Sequence, residues 1–231
     1  MLWVDQVSVS LANNKILDRI DLQALPGEVT VIIGPNGSGK STLMRAMSGD
    51  IPYEGKILLN GHDIKTLKPW DLASKRAVLP QKSILAFPFT VEEVVHIGLR
   101  NGIGAQTTTI IYDALSSVGL SAYAQRQYAE LSGGEQQRVQ LARVLAQVWT
   151  PYEMGQARWI FLDEPVSSLD IAHQIDVINI AKEYARSGGG VIAIMHDLNL
   201  TSMVADKIAI LHQGKTLCQG VPKDVMTDNW L

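Results

Sequence analysis

The 231-residue sequence predicts an α/β fold interrupted by a helical subdomain at about residues 83–147. Three observations carry this reading. Short, β-branched apolar runs recur at residues 28–33, 159–162 and 191–195, too short to be helices of their own. A glycine-rich loop, Gly34-Pro35-Asn36-Gly37-Ser38-Gly39-Lys40-Ser41-Thr42, joins the first of these runs to a helical pattern. Between them the periodicity changes, with Val91, Val94, Val95 and Leu99 near helical spacing.

Taken in order, residues 2–11 alternate partly and predict a half-buried strand. Residues 28–33 form a strand that enters the loop, and a helix runs from Lys40 to about Ser48. Residues 56–59 and 77–79 predict further strands. Helices follow over 90–99, 110–118 and 134–147. The run Trp159-Ile160-Phe161-Leu162 resumes a buried strand ending at Asp163-Glu164. A helix over 171–186 and strands over 191–195, 207–211 and 215–220 complete the chain. Gly188-Gly189-Gly190 is expected to be a turn.

Composition excludes several classes. Hydrophobic residues make up 46% and charged residues 19%, so a packed core is expected and long disorder is not. A net charge of −3 argues against an electrostatic nucleic-acid binder. The five tryptophans are scattered and make no stacking array. The one cysteine, Cys218, has no partner for an internal disulfide and is expected as a small buried residue in a late strand. Met1-Leu2-Trp3-Val4 meets Asp5 with no basic leader, so no secretory signal is expected. No apolar run approaches the ~20 residues of a spanning helix, so a membrane role is expected only through a protein partner. His62, His96, His173 and His212 have no ligand-spaced partners.

The loop is the strongest local signal. Gly34, Gly37 and Gly39 permit a tight path that aims backbone N–H groups inward, and the following helix adds its positive end. Lys40 is placed to reach the β- and γ-phosphates of a nucleotide, and the Ser41 hydroxyl to ligate magnesium. Asp163 and Glu164 emerge at the C-terminal end of a strand, where parallel α/β sheets place ligands. Downstream of the loop, Leu131-Ser132-Gly133-Gly134-Glu135-Gln136-Gln137 opens a helix. Ser132 and Glu135 have capping-box spacing, while Gly133 and Gly134 allow close approach of a phosphate. A capped helix start is also an anion site, so both readings stand together.

The loop and this second motif in one chain resemble the ATP-binding-cassette (ABC) ATPases. The resemblance covers nearly the whole chain and implies a P-loop ABC ATPase core with a mixed sheet, and ATP and Mg2+ as ligands. It implies that Asp163 holds magnesium through water and that Glu164 polarises the attacking water. It makes His196, before Asp197, the switch histidine at the γ-phosphate. Gln81 corresponds to the glutamine joining magnesium and the water to the helical subdomain. Ser168-Leu169-Asp170 resembles the segment that crosses between subunits. The signature Ser132-Gly133-Gly134 is then expected to serve ATP held on a second copy, in a head-to-tail homodimer.

The chain is similar to the ATPase subunits of bacterial importers for cobalamin, ferric siderophores and haem. Gln81 with Phe89-Thr90-Val91-Glu92-Glu93-Val94-Val95, the long segment over 147–159 and Ile171-Ala172-His173-Gln174 favour the hemin-import ATP-binding proteins. This implies two membrane-spanning permease subunits, a periplasmic binding protein acting indirectly, and a place on the cytoplasmic face of the bacterial inner membrane. Residues 82–98 are the expected permease-docking surface. One departure stands out: near Leu11 many relatives carry an aromatic that stacks on adenine, and residues 11–14 contain none. The chain ends soon after Asp224-Val225-Met226, so no regulatory domain is expected. The alternatives are the ATPase of a siderophore or cobalamin importer, or a non-transport ABC ATPase of DNA repair or chromosome structure, for whose coiled coil sustained heptads are absent. A translation-type ABC protein has two cassettes, and one set of motifs occurs here. A kinase built on the same loop would leave the signature and His196 unexplained.

Overall fold

The computed structural model describes residues 1–12, 14–81, 85, 87–99 and 106–227. The chain opens with a hairpin of β1 (Leu2–Leu11) and β2 (Asn14–Ala24). Then come β3 (Val29–Ile33), α1 (Lys40–Met47), β4 (Glu54–Leu59), β5 (His62–Asp63), α2 (Pro69–Lys75) and β6 (Arg76–Leu79). Three helices follow, α3 (Val91–Gly98), α4 (Gln106–Ser117) and α5 (Gly133–Gln147). A small hairpin, β7 (Tyr152–Glu153) and β8 (Gln156–Ala157), leads into β9 (Trp159–Asp163). The chain continues through α6 (Ile171–Arg186), β10 (Gly190–Ile194), α7 (Leu198–Val204), β11 (Lys207–His212), β12 (Lys215–Gly220) and α8 (Pro222–Val225).

The main sheet has six strands in the order β12-β11-β3-β10-β9-β6. Its strands are parallel except for β12, which runs antiparallel to β11. A second, antiparallel sheet has the order β2-β1-β4-β5. The main sheet is covered on both faces, which explains its unbroken apolar runs. Ile32, Phe161 and Ile192 point into one core, shared with Leu43 and Met47 of α1 and with β1, β2 and β4. Val31, Ile160, Leu162 and Val191 point into the other core, shared with α3, α4, α5 and α6. Alternation along each strand thus divides its residues between two layers.

Sequence decides the helix ends. Thr90 and Glu93 form a capping box on α3, and Ser132 and Glu135 form one on α5. Asp170 and Asp197 cap α6 and α7 by accepting main-chain N–H bonds. Gly98 allows α3 to lie against α5, since a Cβ there would stand 2.3 Å from the Arg143 carbonyl oxygen.

Several elements depart from the sequence expectations. β2 carries Lys15, Asp18, Arg19 and Asp21, polar residues that hide a strand whose other face buries Leu17, Ile20 and Leu22. α2 and α7 are each seven residues long, below the length at which helical periodicity is legible. Gly190 is the first residue of β10, not a turn residue. A Cβ there would lie 2.3 Å from the Trp159 ring, so the glycine lets the indole pack on the strand. Cys218 is half-buried on β12 and not fully enclosed. The long segment before β9 folds as the β7–β8 hairpin, its turn made by Met154 and Gly155 at φ 50° and 78°. Trp230 and the last residues of the chain lie outside the described residues.

Candidate nucleotide site

β3 ends at Ile33 and the chain turns through the glycine-rich loop into α1. Gly34 cannot be replaced without movement: a Cβ there would lie 2.1 Å from the Leu211 carbonyl oxygen on β11. Gly39, the residue before α1, has φ 103° and faces Leu17 of β2. The Lys40 ammonium donates to the carbonyl oxygens of Gly34 and Pro35 at 2.8 and 3.0 Å. The lysine is therefore folded back over its own loop and nearly enclosed, at 6% exposure. Burial pushes its pKa down, against the pull of Glu164 and Asp163. The Ser38 hydroxyl is buried with no hydrogen-bond partner among the described residues. Pro35, Asn36 and Gly37 form the exposed rim, and Thr42 is half-buried on the first turn of α1.

β9 neighbours β10, which neighbours β3, so its end comes up beside the loop. The Ser41 hydroxyl donates to Asp163 Oδ1 at 3.3 Å. Burial raises the Asp163 pKa; the Ser41 bond opposes this and the charge of Glu164 adds to it. The next residue, Glu164, takes a left-handed conformation with φ 54°. That turn swings its carboxylate toward His196, whose Nε2 lies 2.7 Å from Glu164 Oε1. Burial alone would raise the Glu164 pKa, but the bonds from His196 and Gln81 and the charges of His196 and Lys40 hold it below the usual value. Lys40, Ser41, Asp163, Glu164, His196 and Gln81 thus form one interacting cluster, drawn from β3–α1, the end of β6, the end of β9 and the end of β10.

Ser132, Gly133 and Gly134 do not join that cluster. Ser132 and Gly133 are exposed, and a Cβ on Gly133 would meet open space. Gly134 packs closely under the segment after Glu164, where an added Cβ would lie 3.2 Å from the Ser168 carbonyl oxygen. Within one chain the start of α5 therefore faces outward. Of residues 11–14, Leu11 ends β1 at 37% exposure and pairs with Asn14, the first residue of β2, while Asn13 lies outside the described residues. Of the expected docking surface over 82–98, residues 82–84 and 86 lie outside the described residues. Phe87 beside them is exposed and meets Phe89 edge-on. Sequence reading assigned no role to Gln137, although its side-chain amide reaches the Glu164 carbonyl oxygen at 3.2 Å. The only signal was its place within the first two turns of the signature helix.

The residues present fit a nucleotide with magnesium. The loop supplies main-chain donors, a buried ammonium and a hydroxyl without a partner. Among the described residues no group of three or more His, Cys, Asp or Glu could hold a metal. Magnesium in nucleotide sites is held by one or two protein oxygens together with phosphate oxygens, and Ser41 and Asp163 offer that pair.

A glycine-rich loop, strand-end acids and an outward-facing signature on this mixed sheet define the class. The ABC transporter family profile matches residues 17–167, and the chain belongs to that family of ATP-binding ATPase domains. It is 59% identical over 228 residues to the hemin import ATP-binding protein HmuV of Jannaschia sp. (strain CCS1), covering 99% of this chain and 84% of that protein. It is 57% identical to HmuV of Roseobacter denitrificans, covering 96% and 85%. Among solved structures it is similar to an ATP binding subunit of an ABC transporter, with TM-score 0.85, 23% identity, and 97% and 91% of the two chains covered. It is also similar to cbiO1 of Clostridium perfringens, with TM-score 0.83, 24% identity, and 99% and 91% covered. These last two likenesses concern the fold. Among the described residues no helix is long and apolar enough to cross a membrane.

Proposed function

We propose that this chain is the ATP-hydrolysing subunit that energises a membrane importer of haem. The observation that carries the ATPase part is the convergence of Lys40, Ser41, Asp163, Glu164 and His196 at the mouth of one loop. The haem assignment rests on identity above half to hemin import ATP-binding proteins over nearly the whole chain.

In this reading the loop residues Gly34 to Thr42 cradle the phosphates with main-chain N–H groups. Lys40 leaves its two carbonyl partners and turns its ammonium to the β- and γ-phosphates. Ser41 and Asp163 hold Mg2+, whose chemistry is to neutralise phosphate charge. Glu164, kept ionised by its neighbours, accepts a proton from the attacking water. His196 contacts the γ-phosphate and orients the carboxylate it touches. Gln81 links this centre to residues 83–147, which act as a helical subdomain of one cassette. Ser132, Gly133 and Gly134 of a second copy close the site in a head-to-tail homodimer. Two permease subunits dock around residues 82–98, and a periplasmic binding protein delivers cargo to them. The complex sits on the cytoplasmic face of the bacterial inner membrane.

The test uses proteoliposomes carrying the chain with its permease. Haem-loaded binding protein is expected to raise ATP turnover above that with unloaded protein. Equal turnover with both would count against haem. Stimulation by a siderophore- or cobalamin-loaded protein would reassign the cargo and leave the ATPase reading in place.

A further inference from the structure

The main chain of Glu164 is held from several sides. Its N–H donates to the Ile194 carbonyl oxygen of β10 at 3.1 Å. Its own carbonyl oxygen accepts from the Ser167 hydroxyl at 3.2 Å and from the Gln137 side-chain amide at 3.2 Å. The first two bonds come from the neighbouring strand and from the turn that follows. The third comes from α5, whose first residues are the signature. These bonds matter because Glu164 sits at φ 54°, a conformation a non-glycine residue keeps only when its surroundings impose it.

Gln137 makes this contact at a cost. Its Oε1 is buried without a hydrogen-bond partner among the described residues. An apolar side chain of the same length would remove that orphan acceptor, so core packing alone does not call for an amide here. Its neighbours on α5 do other work. Gln136 holds the carbonyl oxygens of Tyr128 and Leu131 in the approach to the helix, and Gln140 reaches the Tyr128 hydroxyl. Gln137 is the α5 side chain that reaches the turn bearing the acid.

We propose that Gln137 is a positioning residue, tying the signature helix to the main chain of Glu164 within the same chain. The signature's movement onto the nucleotide of the other copy then bears, through Gln137, on the aim of Glu164 in its own site. Each chain's two contributions, one to each shared site, are joined by this bond. The inference rests on the reading of Glu164 as the group that activates water.

The experiment compares Gln137→Met, Gln137→Glu and Glu164→Gln with the unaltered chain in the permease complex. Methionine keeps length and removes both the donor and the orphan acceptor. Glutamate keeps shape and sets an acceptor against the carbonyl. Both are expected to lower kcat about tenfold, the loss of one hydrogen bond's worth of alignment, with KM for ATP within about twofold. In the Glu164→Gln background, Gln137→Met is expected to lower residual turnover no further. Unchanged kcat in a folded Gln137 variant, or a raised KM with kcat intact, would overturn the proposal. So would failure of both variants to fold, which would make Gln137 a structural residue. An active Glu164→Gln protein would instead remove the reading on which the proposal stands.

Discussion

Lys40 bridges two carbonyl oxygens of its own loop, so its ammonium is largely desolvated and held at the loop, with two bonds to exchange for those of a phosphate. Lys40→Ala is expected to leave the fold intact and to weaken ATP binding about a hundredfold, since charge-assisted bonds are worth about 1.5–3 kcal/mol each. Titration with a fluorescent ATP analogue checks this, and unchanged affinity would count against the loop assignment. Asp163 shows the opposite economy. Burial raises its pKa, so ionising it disfavours the folded chain. Asp163→Asn is therefore expected to raise the Tm of the nucleotide-free protein near neutral pH while stopping hydrolysis. The gain should shrink as pH falls through the raised pKa toward 3.8, the ordinary value, because the wild-type carboxyl is then neutral too. Glu164 has the reverse sign. Its lowered pKa adds stability above about 4.5, lost as pH falls through the folded value. Thermal melts across pH separate the two, and a Tm that falls in Asp163→Asn at neutral pH would contradict the account.

At the scale of elements, legibility tracked physical cause. β1 and α6 keep the bounds their patterns predict, because one face of each is apolar at the right period, and β12 keeps its bounds because the turn at Gln213-Gly214 marks its start. β2 was hidden by the charges on its exposed face, and α7 by its length. The residue types that gather around the loop stood out in the sequence because phosphate chemistry demands particular types at a strand end and a helix start, and their roles belong to the proposed function. The Gln137 bond was not, since it depends on how α5 lies across the end of β9, which no local pattern encodes. The packing of α3 on α5 is a second such fact, resting on Gly98. Gly98→Val is expected to force these helices apart and to destabilise the chain by about 1–3 kcal/mol, the usual cost of overpacking. A fall of several degrees in Tm, with loop-bound nucleotide affinity retained in the cold, is the expected signature; an unchanged Tm would mean that the approach is not constrained.

For the whole molecule, the decisive feature is a signature that faces away from the chain's own nucleotide cluster. In the proposed reading, one chain carries both halves of a site that two copies assemble together. Glu164→Gln is expected to keep ATP binding, to lose hydrolysis by at least ~10²-fold, and to run as an ATP-dependent dimer on size exclusion. A monomer with persisting turnover would show that Glu164 is not the base. The most direct measurement mixes two inactive variants, Lys40→Ala and Ser132→Arg. In the mixed dimer one site receives both lesions, while the other has an intact loop and an intact signature. The account predicts that mixing restores ATP-dependent dimerisation, together with hydrolysis if one site fires alone. Ser132→Ala combined with Gly134→Asp replaces the arginine variant as a control against phosphate attraction by the new charge. Two folded, exchanging proteins that regain neither dimerisation nor hydrolysis on mixing would contradict the shared site.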